Sequence, residues 1–171
     1  MITVQLAASS HVKGIKRVCI DANRTTYKDL CKEGYIEKVI REFYNEERIH
    51  KEVLTSTKDW GGYFVALDSD RVVGAAGGGM ISDNEAELYV LYLDPDRRNE
   101  GIGSKLLEAV TKQQKSFGAI EQWVSVLKGN QKGIPFYEAR GFHLQYEKPS
   151  FGNSEEDNYC SLRYKRNIEG I

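Results

Sequence analysis

The chain has 171 residues, with 24 lysines and arginines against 25 aspartates and glutamates, for a formal net charge of -1. That length suits one domain able to bury about two thirds of its unfolded surface in a single core, and the charge balance lacks the basic footprint of a nucleic-acid binder. Cys19, Cys31 and Cys160 stand far apart with no Cys-x-x-Cys, and His11, His50 and His143 lack metal-ligand spacing, so neither a disulfide framework nor a metal centre is expected.

Ile2, Val4 and Leu6 alternate and predict an opening strand, after which Ser9 or Ser10 can cap a helix. Val12, Ile15, Val18, Cys19 and Ala22 recur at helical spacing and predict an amphipathic helix that breaks across Asn23 to Tyr27. The spacing resumes from Tyr35 through Ile36, Val39, Ile40 and Phe43, so helix is expected, with or without an interruption, to about Leu54. Beyond Gly61 and Gly62, Tyr63 to Leu67 and Arg71 to about Ile81 read as an antiparallel hairpin that turns at Asp68 to Asp70. Gly77, Gly78 and Gly79 weaken its second strand. They predict a bulge or bend against the core, or else room for an acceptor substrate.

Leu88 to Leu93 is an unbroken apolar and aromatic run, a strand covered on both faces, ended by Asp94-Pro95. Arg98 to Gly103 then leads into a helix from Ser104 to about Ser116, with Ile102, Leu106, Leu107 and Val110 on one face. The first backbone amides of a helix lack internal partners and sit at the positive end of its dipole, so a strand, tight loop and helix in this order make an anion site. Gly101 and Gly103 have no β-carbons and let a phosphate approach those amides, though the same glycines suit a tight turn or helix-on-sheet packing equally well. No Lys-Ser or Lys-Thr follows the last glycine, which disfavours a P-loop. A dinucleotide Gly-x-Gly-x-x-Gly lacks its third glycine, Leu106 standing there.

Past Gly118, Gln122 to Leu127 reads as a fifth strand, parallel to the fourth because the intervening helix supplies the crossover. Asn130 to Arg140 is helical in part, with Pro135 expected to set the start near Ile134. Phe142, Leu144 and Tyr146 alternate in a sixth strand. An acidic, glycine-bearing loop covers Lys148 to Asn158, and Cys160, Leu162 and Tyr164 alternate in a last strand. The mixture predicts an α/β three-layer domain with a partly antiparallel sheet. Each cysteine is expected as a buried small apolar residue in a reducing cytosol. No apolar run approaches a membrane helix, and the amino terminus is strand-like, unlike a signal peptide.

Arg98, Gly101 and Gly103 occupy the fixed positions of Gln/Arg-x-x-Gly-x-Gly/Ala, and the stretch resembles the acetyl-CoA loop of the GNAT superfamily of N-acetyltransferases. Asn130, followed by Phe136-Tyr137-Glu138-Ala139-Arg140-Gly141-Phe142, is similar to that family's Asn, Phe-Tyr and Gly-Phe helix after the fifth strand. Together they span roughly Glu87 to Phe142. The resemblance implies the GNAT fold: three αβα layers with a mixed, mostly antiparallel six- to seven-stranded sheet, splayed between parallel fourth and fifth strands, in a single domain over residues 1–171.

The resemblance also implies acetyl-CoA as co-substrate and no metal. The backbone of Tyr92 and Leu93 would pair with the pantetheine arm, and Arg98, Asn99, Glu100, Gly101, Ile102, Gly103 and Ser104 would hold the diphosphate, with Arg97 or Lys105 as further cations. Asn130 would bond the pantetheine. Its reach is affected by Gly133-Ile134-Pro135, where many relatives carry Ala-Ile. An alkyl amine with a reference pKa near 10.4 is nucleophilic in only about one molecule in a thousand at neutral pH. The family's catalytic glutamate, which takes that proton, corresponds to Glu87, with Glu85 as the alternative, and its general-acid tyrosine, donor to the departing thiolate, to Tyr137.

The implied acceptor is the primary amine of a small molecule such as a polyamine, amino acid or antibiotic-like amine, with a protein amino terminus or lysine as the alternative. Asn23 to Tyr35, Trp60 to Gly62, Gly77 to Gly79 and Lys148 to Asn158 would shape its pocket. Nucleic acid and membrane are not implied as partners, a homodimer is admitted, and the location is cytoplasmic. A non-catalytic acyl-CoA sensor and an unrelated nucleotide-binding module are the readings from other classes.

Overall fold

β1 (Ile2–Leu6), β2 (Phe64–Asp68), β3 (Arg71–Met80), β4 (Glu85–Leu93), β5 (Glu121–Leu127), β6 (His143–Pro149) and β7 (Cys160–Asn167) form one sheet in the order β1-β2-β3-β4-β5-β7-β6. The structure is a computed structural model that describes residues 1–152 and 157–171. β4 and β5 run parallel, and every other described pairing is antiparallel. Alternation along β2 turns Val65 and Leu67 to one face and Ala66 to the other, and because β3 carries an extra residue at Val73, Val72 and Ala75 share the first face and Val73 and Ala76 the second. α1 (Val12–Tyr27) covers the first face through Val12, Ile15, Val18 and Cys19, with α2 (Glu33–Phe43) and α3 (Glu46–Leu54) beside it. α4 (Ile102–Ser116) covers the second through Ile102, Leu106, Leu107 and Val110, each at most 3% exposed, so that each contributes roughly 1.5–3 kcal/mol of burial. α5 (Gly133–Glu138) and Phe142 close that face beside β5 and β7. The result is the expected three-layer arrangement.

Several local expectations are corrected. α1 does not break across Asn23 to Tyr27. Asn23 is buried and its amide nitrogen donates to the Cys19 carbonyl at 2.7 Å, one turn back, so its side chain supports the helix instead of competing with it. The break falls between Lys28 and Lys32. The next helix divides at Tyr44 and Asn45, where Asn45 Oδ1 accepts from the Arg48 amide at 2.8 Å and caps α3. α5 begins at Gly133, close to the expected start, and Pro135 leaves a gap in its ladder between the Ile134 amide, which bonds the Asn130 carbonyl at 3.1 Å, and the Phe136 amide, which bonds that of Lys132 at 3.4 Å.

The glycine triplet leaves no room for a substrate. A β-carbon on Gly77 would meet the Trp60 ring at 2.4 Å, and one on Gly79 the Asp59 carbonyl oxygen at 1.8 Å. The segment from Lys58 to Gly61 lies against it, with the Met80 amide donating to the Lys58 carbonyl at 2.6 Å and the Gly61 amide to that of Gly78 at 2.9 Å. β6 has no buried face. All its residues are exposed because it is the edge strand, β7 standing between it and β5, and its register shifts between Leu144 and Tyr146. Of the cysteines only Cys19 is buried, whereas Cys31 and Cys160 are partly exposed. Of the acidic loop expected over Lys148 to Asn158, residues 153–156 lie outside the described residues. No helix is long and apolar enough to cross a membrane among the described residues.

Candidate active site

One extra residue opens the sheet. Gly78 pairs with Leu88 and Gly77 with Val90, leaving Tyr89 over as a bulge on β4. An added residue exchanges the two faces of everything beyond it. Leu88 packs into the core beneath α4, yet past the bulge Leu91 and Leu93 do so, while Val90 and Tyr92 turn toward α1. Pairing between β4 and β5 ends where Leu88 faces Val124, and β5 continues paired with β7 alone. A cleft of about 170 Å³ fills the gap, walled by Tyr92 and Leu93, by Val124 to Val126, and by Phe136 and Tyr137 of α5. From Tyr89 to Leu93 the edge of β4 that would face β5 has no strand partner, so it can receive an extended ligand as a further strand.

Asp94 fixes the turn at the end of β4. Its amide donates to the Val73 carbonyl at 2.9 Å, and its buried carboxylate accepts from the Asp96 amide at 3.0 Å and from Arg17 at 3.2 Å. Burial works to raise this carboxyl, but the Asp96 amide, Arg17 and Arg71 outweigh it and hold it below its ordinary value. The loop that follows carries two left-handed residues, Asn99 at φ 65° and Gly101 at φ 75°, the latter capping α4. The two glycines have different reasons to be there. Gly101 needs its positive φ, and a β-carbon on it would point into space empty within 4 Å, whereas a β-carbon on Gly103 would crowd the Phe136 ring at 3.1 Å.

Backbone amides from Asn99 to Ser104 find no acceptor among the described residues, and the first helical bond is donated by Lys105 to Gly101. Arg98 lines the cleft and has no ion pair among the described residues. Arg97 is not available in the same way, since it pairs with Asp68 at 2.9 Å and Glu100 at 2.8 Å. Glu100 thereby turns its side chain to Arg97 and leaves the loop its amide. Ser104 does likewise, its hydroxyl accepting from Arg140, which also stacks on Phe136 at 3.7 Å. Unsatisfied amides, a helix dipole, one free cation and open space above Gly101 fit a diphosphate.

Tyr137 is buried between Phe136 and Phe142, with ring centroids 5.2 Å and 5.4 Å away, and it lines the cleft. Its hydroxyl has no hydrogen-bond partner among the described residues, and burial pushes the phenol well above its ordinary value. Asn130 also lines the cleft. Its Oδ1 caps α5 by accepting from the Gly133 amide at 2.9 Å, which leaves its amide nitrogen as the free donor.

Glu87 is placed differently. It stands one residue before the cleft wall, 13% exposed, with both oxygens accepting from Arg163, at 2.6 Å and 3.0 Å. Arg163 Nη1 also donates to Ser125 Oγ at 2.7 Å, and its buried Nε has no partner among the described residues. Burial works to lower this guanidinium, but the pairing with Glu87 outweighs it and the net shift is upward. Glu85 accepts from Trp123 Nε1 at 2.8 Å, also outside the cleft wall.

The Acetyltransferase (GNAT) family model matches residues 25–142. The chain belongs to the GNAT acetyltransferase family. As a GNAT protein it is an acetyl-CoA-dependent acyltransferase. It is 28% identical over 144 residues to a spermidine N(1)-acetyltransferase of Thermoplasma acidophilum, covering 84% of this chain and 89% of that one. It is 30% identical over 145 residues to YuaI, an uncharacterized N-acetyltransferase of Bacillus subtilis, covering 81% and 79%. Among solved structures, the PaiA N-acetyltransferase of Thermoplasma acidophilum in complex with coenzyme A is similar over 98% of this chain and 99% of that one, with a TM-score of 0.82 and 25% identity.

In this GNAT chain the cleft gathers Tyr92, Leu93, Arg98, Gly103, Asn130 and Tyr137, and the loop at its mouth carries Asn99, Glu100, Gly101, Ile102 and Ser104. Ile102 offers only its amide, its side chain being core. Glu87 is not brought into the wall. Arg163 and Ser125 were not marked by the sequence pattern, whereas Tyr27, which lines the cleft, falls in the Asn23 to Tyr35 stretch expected to shape the acceptor pocket. Arg163 sits at an ordinary polar position of an alternating strand, and only the pairing of Ser125 with Arg163 across β5 and β7 brings it toward Glu87.

Proposed function

We propose that this enzyme transfers the acetyl group of acetyl-CoA directly to the primary amine of a small molecule, and that residues 1–171 act as one N-acetyltransferase domain. The observation that carries the reading is the run of acceptor-free amides from Asn99 to Ser104 beside Arg98, which has no ion pair among the described residues, on a cleft whose lining includes Tyr137. When bound, acetyl-CoA supplies an activated thioester carbonyl and a thiolate leaving group. The amides and Arg98 hold its diphosphate, the open edge of β4 at Tyr92 and Leu93 holds the pantetheine arm, and the Asn130 amide nitrogen adds a donor.

Two proton movements remain for the side chains. Glu87 accepts the amine's proton through an intervening water, because it stands outside the cleft wall, and Arg163 keeps its carboxylate oriented. Tyr137 donates a hydrogen bond to the departing sulfur. Complete transfer is unfavourable: a phenol near pKa 10 is about 1.5 units weaker an acid than a thiol, roughly 2 kcal/mol, and burial adds to the gap. Tyr137 therefore stabilises the thiolate without surrendering its proton.

Thiol release from acetyl-CoA, measured with small amines and with a peptide amino terminus, tests the reading. Turnover with a small amine and an acetylated product by mass spectrometry are expected. Turnover with the peptide alone would move the acceptor to protein, and release no faster than buffer hydrolysis with every acceptor would refute the proposal.

A further inference from the structure

A second cavity, of about 190 Å³, opens off the cleft where Tyr27, Tyr92 and Ser125 line both. Its far walls are Tyr35, Val39 and Phe43 of α2 and Phe151 after β6. The chain after β6 is tied down over it. Tyr35 donates its hydroxyl to the Phe151 carbonyl at 2.5 Å, Lys38 donates to the Gly152 carbonyl, and the Phe43 and Phe151 rings meet edge-on at 4.8 Å.

No charged side chain lines this cavity among the described residues, and much of its polar lining is already engaged. The Asn23 amide nitrogen is given to the Cys19 carbonyl, and the Ser150 and Ser161 hydroxyls bond each other at 2.9 Å. Phe151 on the outer wall is 64% exposed, while deeper in, burial with Asp157 acting from outside the lining raises the Cys31 thiol to about 11, and burial with Cys31 and Asp157 raises the Tyr35 phenol to about 12. The volume suits one ring, since a cavity of about 150 Å³ lined by apolar side chains holds benzene.

We propose that this cavity is the acceptor pocket and that it takes a monoamine carried on an apolar or aromatic body, an arylalkylamine, in preference to a polyamine. The proposal rests on the amine acetyltransfer inferred above. A polyamine brings a second ammonium that would lose part of its water against Phe43 and Tyr92 with no carboxylate in the lining among the described residues, Asp157 acting only from outside it, and the attraction of ring faces for a cation only partly offsets that loss. An apolar body gains from the same walls. The nearby carboxylates Glu52 and Asp59 belong to a separate cleft beyond Phe43, where Arg48 stands 3.7 Å from Glu52.

Steady-state kinetics of the full chain with acetyl-CoA decide the matter, using 2-phenylethylamine, tyramine and tryptamine against putrescine and spermidine. The arylalkylamines are expected to exceed spermidine in kcat/KM by about tenfold or more, the scale on which apolar pockets discriminate. Val39→Glu should shift that ratio toward the diamine. Phe43→Leu, which keeps the site apolar and foldable, should lower kcat/KM for the arylalkylamines by several-fold without changing KM for acetyl-CoA. Spermidine equal to or better than the arylalkylamines, or a spermidine rate that falls on Asp59→Asn, overturns the pocket assignment while leaving amine acetyltransfer standing. Absence of turnover with every amine overturns the acetyltransfer reading itself, and this proposal with it.

Discussion

The end proposed to hold the donor and the end proposed to hold the acceptor are built by different means. At the first, from Arg98 to Ser104, the groups offered to a ligand are backbone amides presented by one short loop, and the side chains of Glu100 and Ser104 are turned away to Arg97 and Arg140. At the acceptor end the walls are side chains delivered by α1, α2, β4, β5 and the chain after β6. A site made of backbone tolerates change in the side chains around it, so long as the turn survives. A site made of side chains can be respecified one residue at a time. The Glu87–Arg163 pair lies at the base of the splay between the two, holding β4 to β7 across β5.

The largest effect should come from breaking that hinge. Arg163→Met leaves the Glu87 carboxylate, 13% exposed, without its partner, and should destabilise the fold by about 3–5 kcal/mol in urea unfolding. A loss below ~1 kcal/mol would mean the pair is solvated and contributes nothing to joining the two ends. Next, Tyr137→Phe should lower kcat about a hundredfold with KM for acetyl-CoA unchanged. Because burial raises its phenol, the wild-type rate should show no alkaline decline from this group up to pH 10. A decline removed by the substitution would show that Tyr137 titrates as an ordinary acid.

At the donor end, Gly101→Ala places a β-carbon in the open space above the loop and strains a φ of 75° by about 1–2 kcal/mol, so KM for acetyl-CoA should rise roughly tenfold with amine KM unaffected. Glu100→Gln should leave both constants within about twofold, since only its amide is assigned to the ligand. The smallest effect concerns acid stability. Asp94 is held below its ordinary value, so its contribution is complete above pH ~4, where the unfolded chain is already ionised, and fades as pH falls through the lower folded value. Asp94→Asn should therefore flatten the fall in the urea midpoint between about pH 4 and 2, and an unchanged slope would place the acid sensitivity elsewhere.

The donor loop was legible because its geometry is local. Pro95, Gly101 and the apolar face of α4 suffice to predict a strand, a turn and a helix start, and the open amides follow from the helix itself. The reason for each glycine was not legible. Gly103 answers to the Phe136 ring and the Gly77–Gly79 run to the segment at Trp60, contacts between residues distant in sequence. The continuation of α1 past Ala22 is hidden from the sequence for the same reason, since Asn23 reads as a helix breaker until its burial and its bond to Cys19 are known.

By itself the amino-acid order determined most of the strands and helices and that β4 and β5 run parallel, and it pointed to a helix start with open amides. Those properties depend on periodicity, backbone freedom and the unpaired ends of helices, all set within a few residues. The register was decided only in three dimensions. The extra residue at Tyr89 parts the strands, the pairing of Ser125 with Arg163 brings a guanidinium to Glu87, and α2 with Phe151 beyond β6 walls a pocket that no charged side chain lines among the described residues. A one-residue shift in pairing turns every later side chain to the opposite face, and such a shift is fixed by the packing of both faces at once.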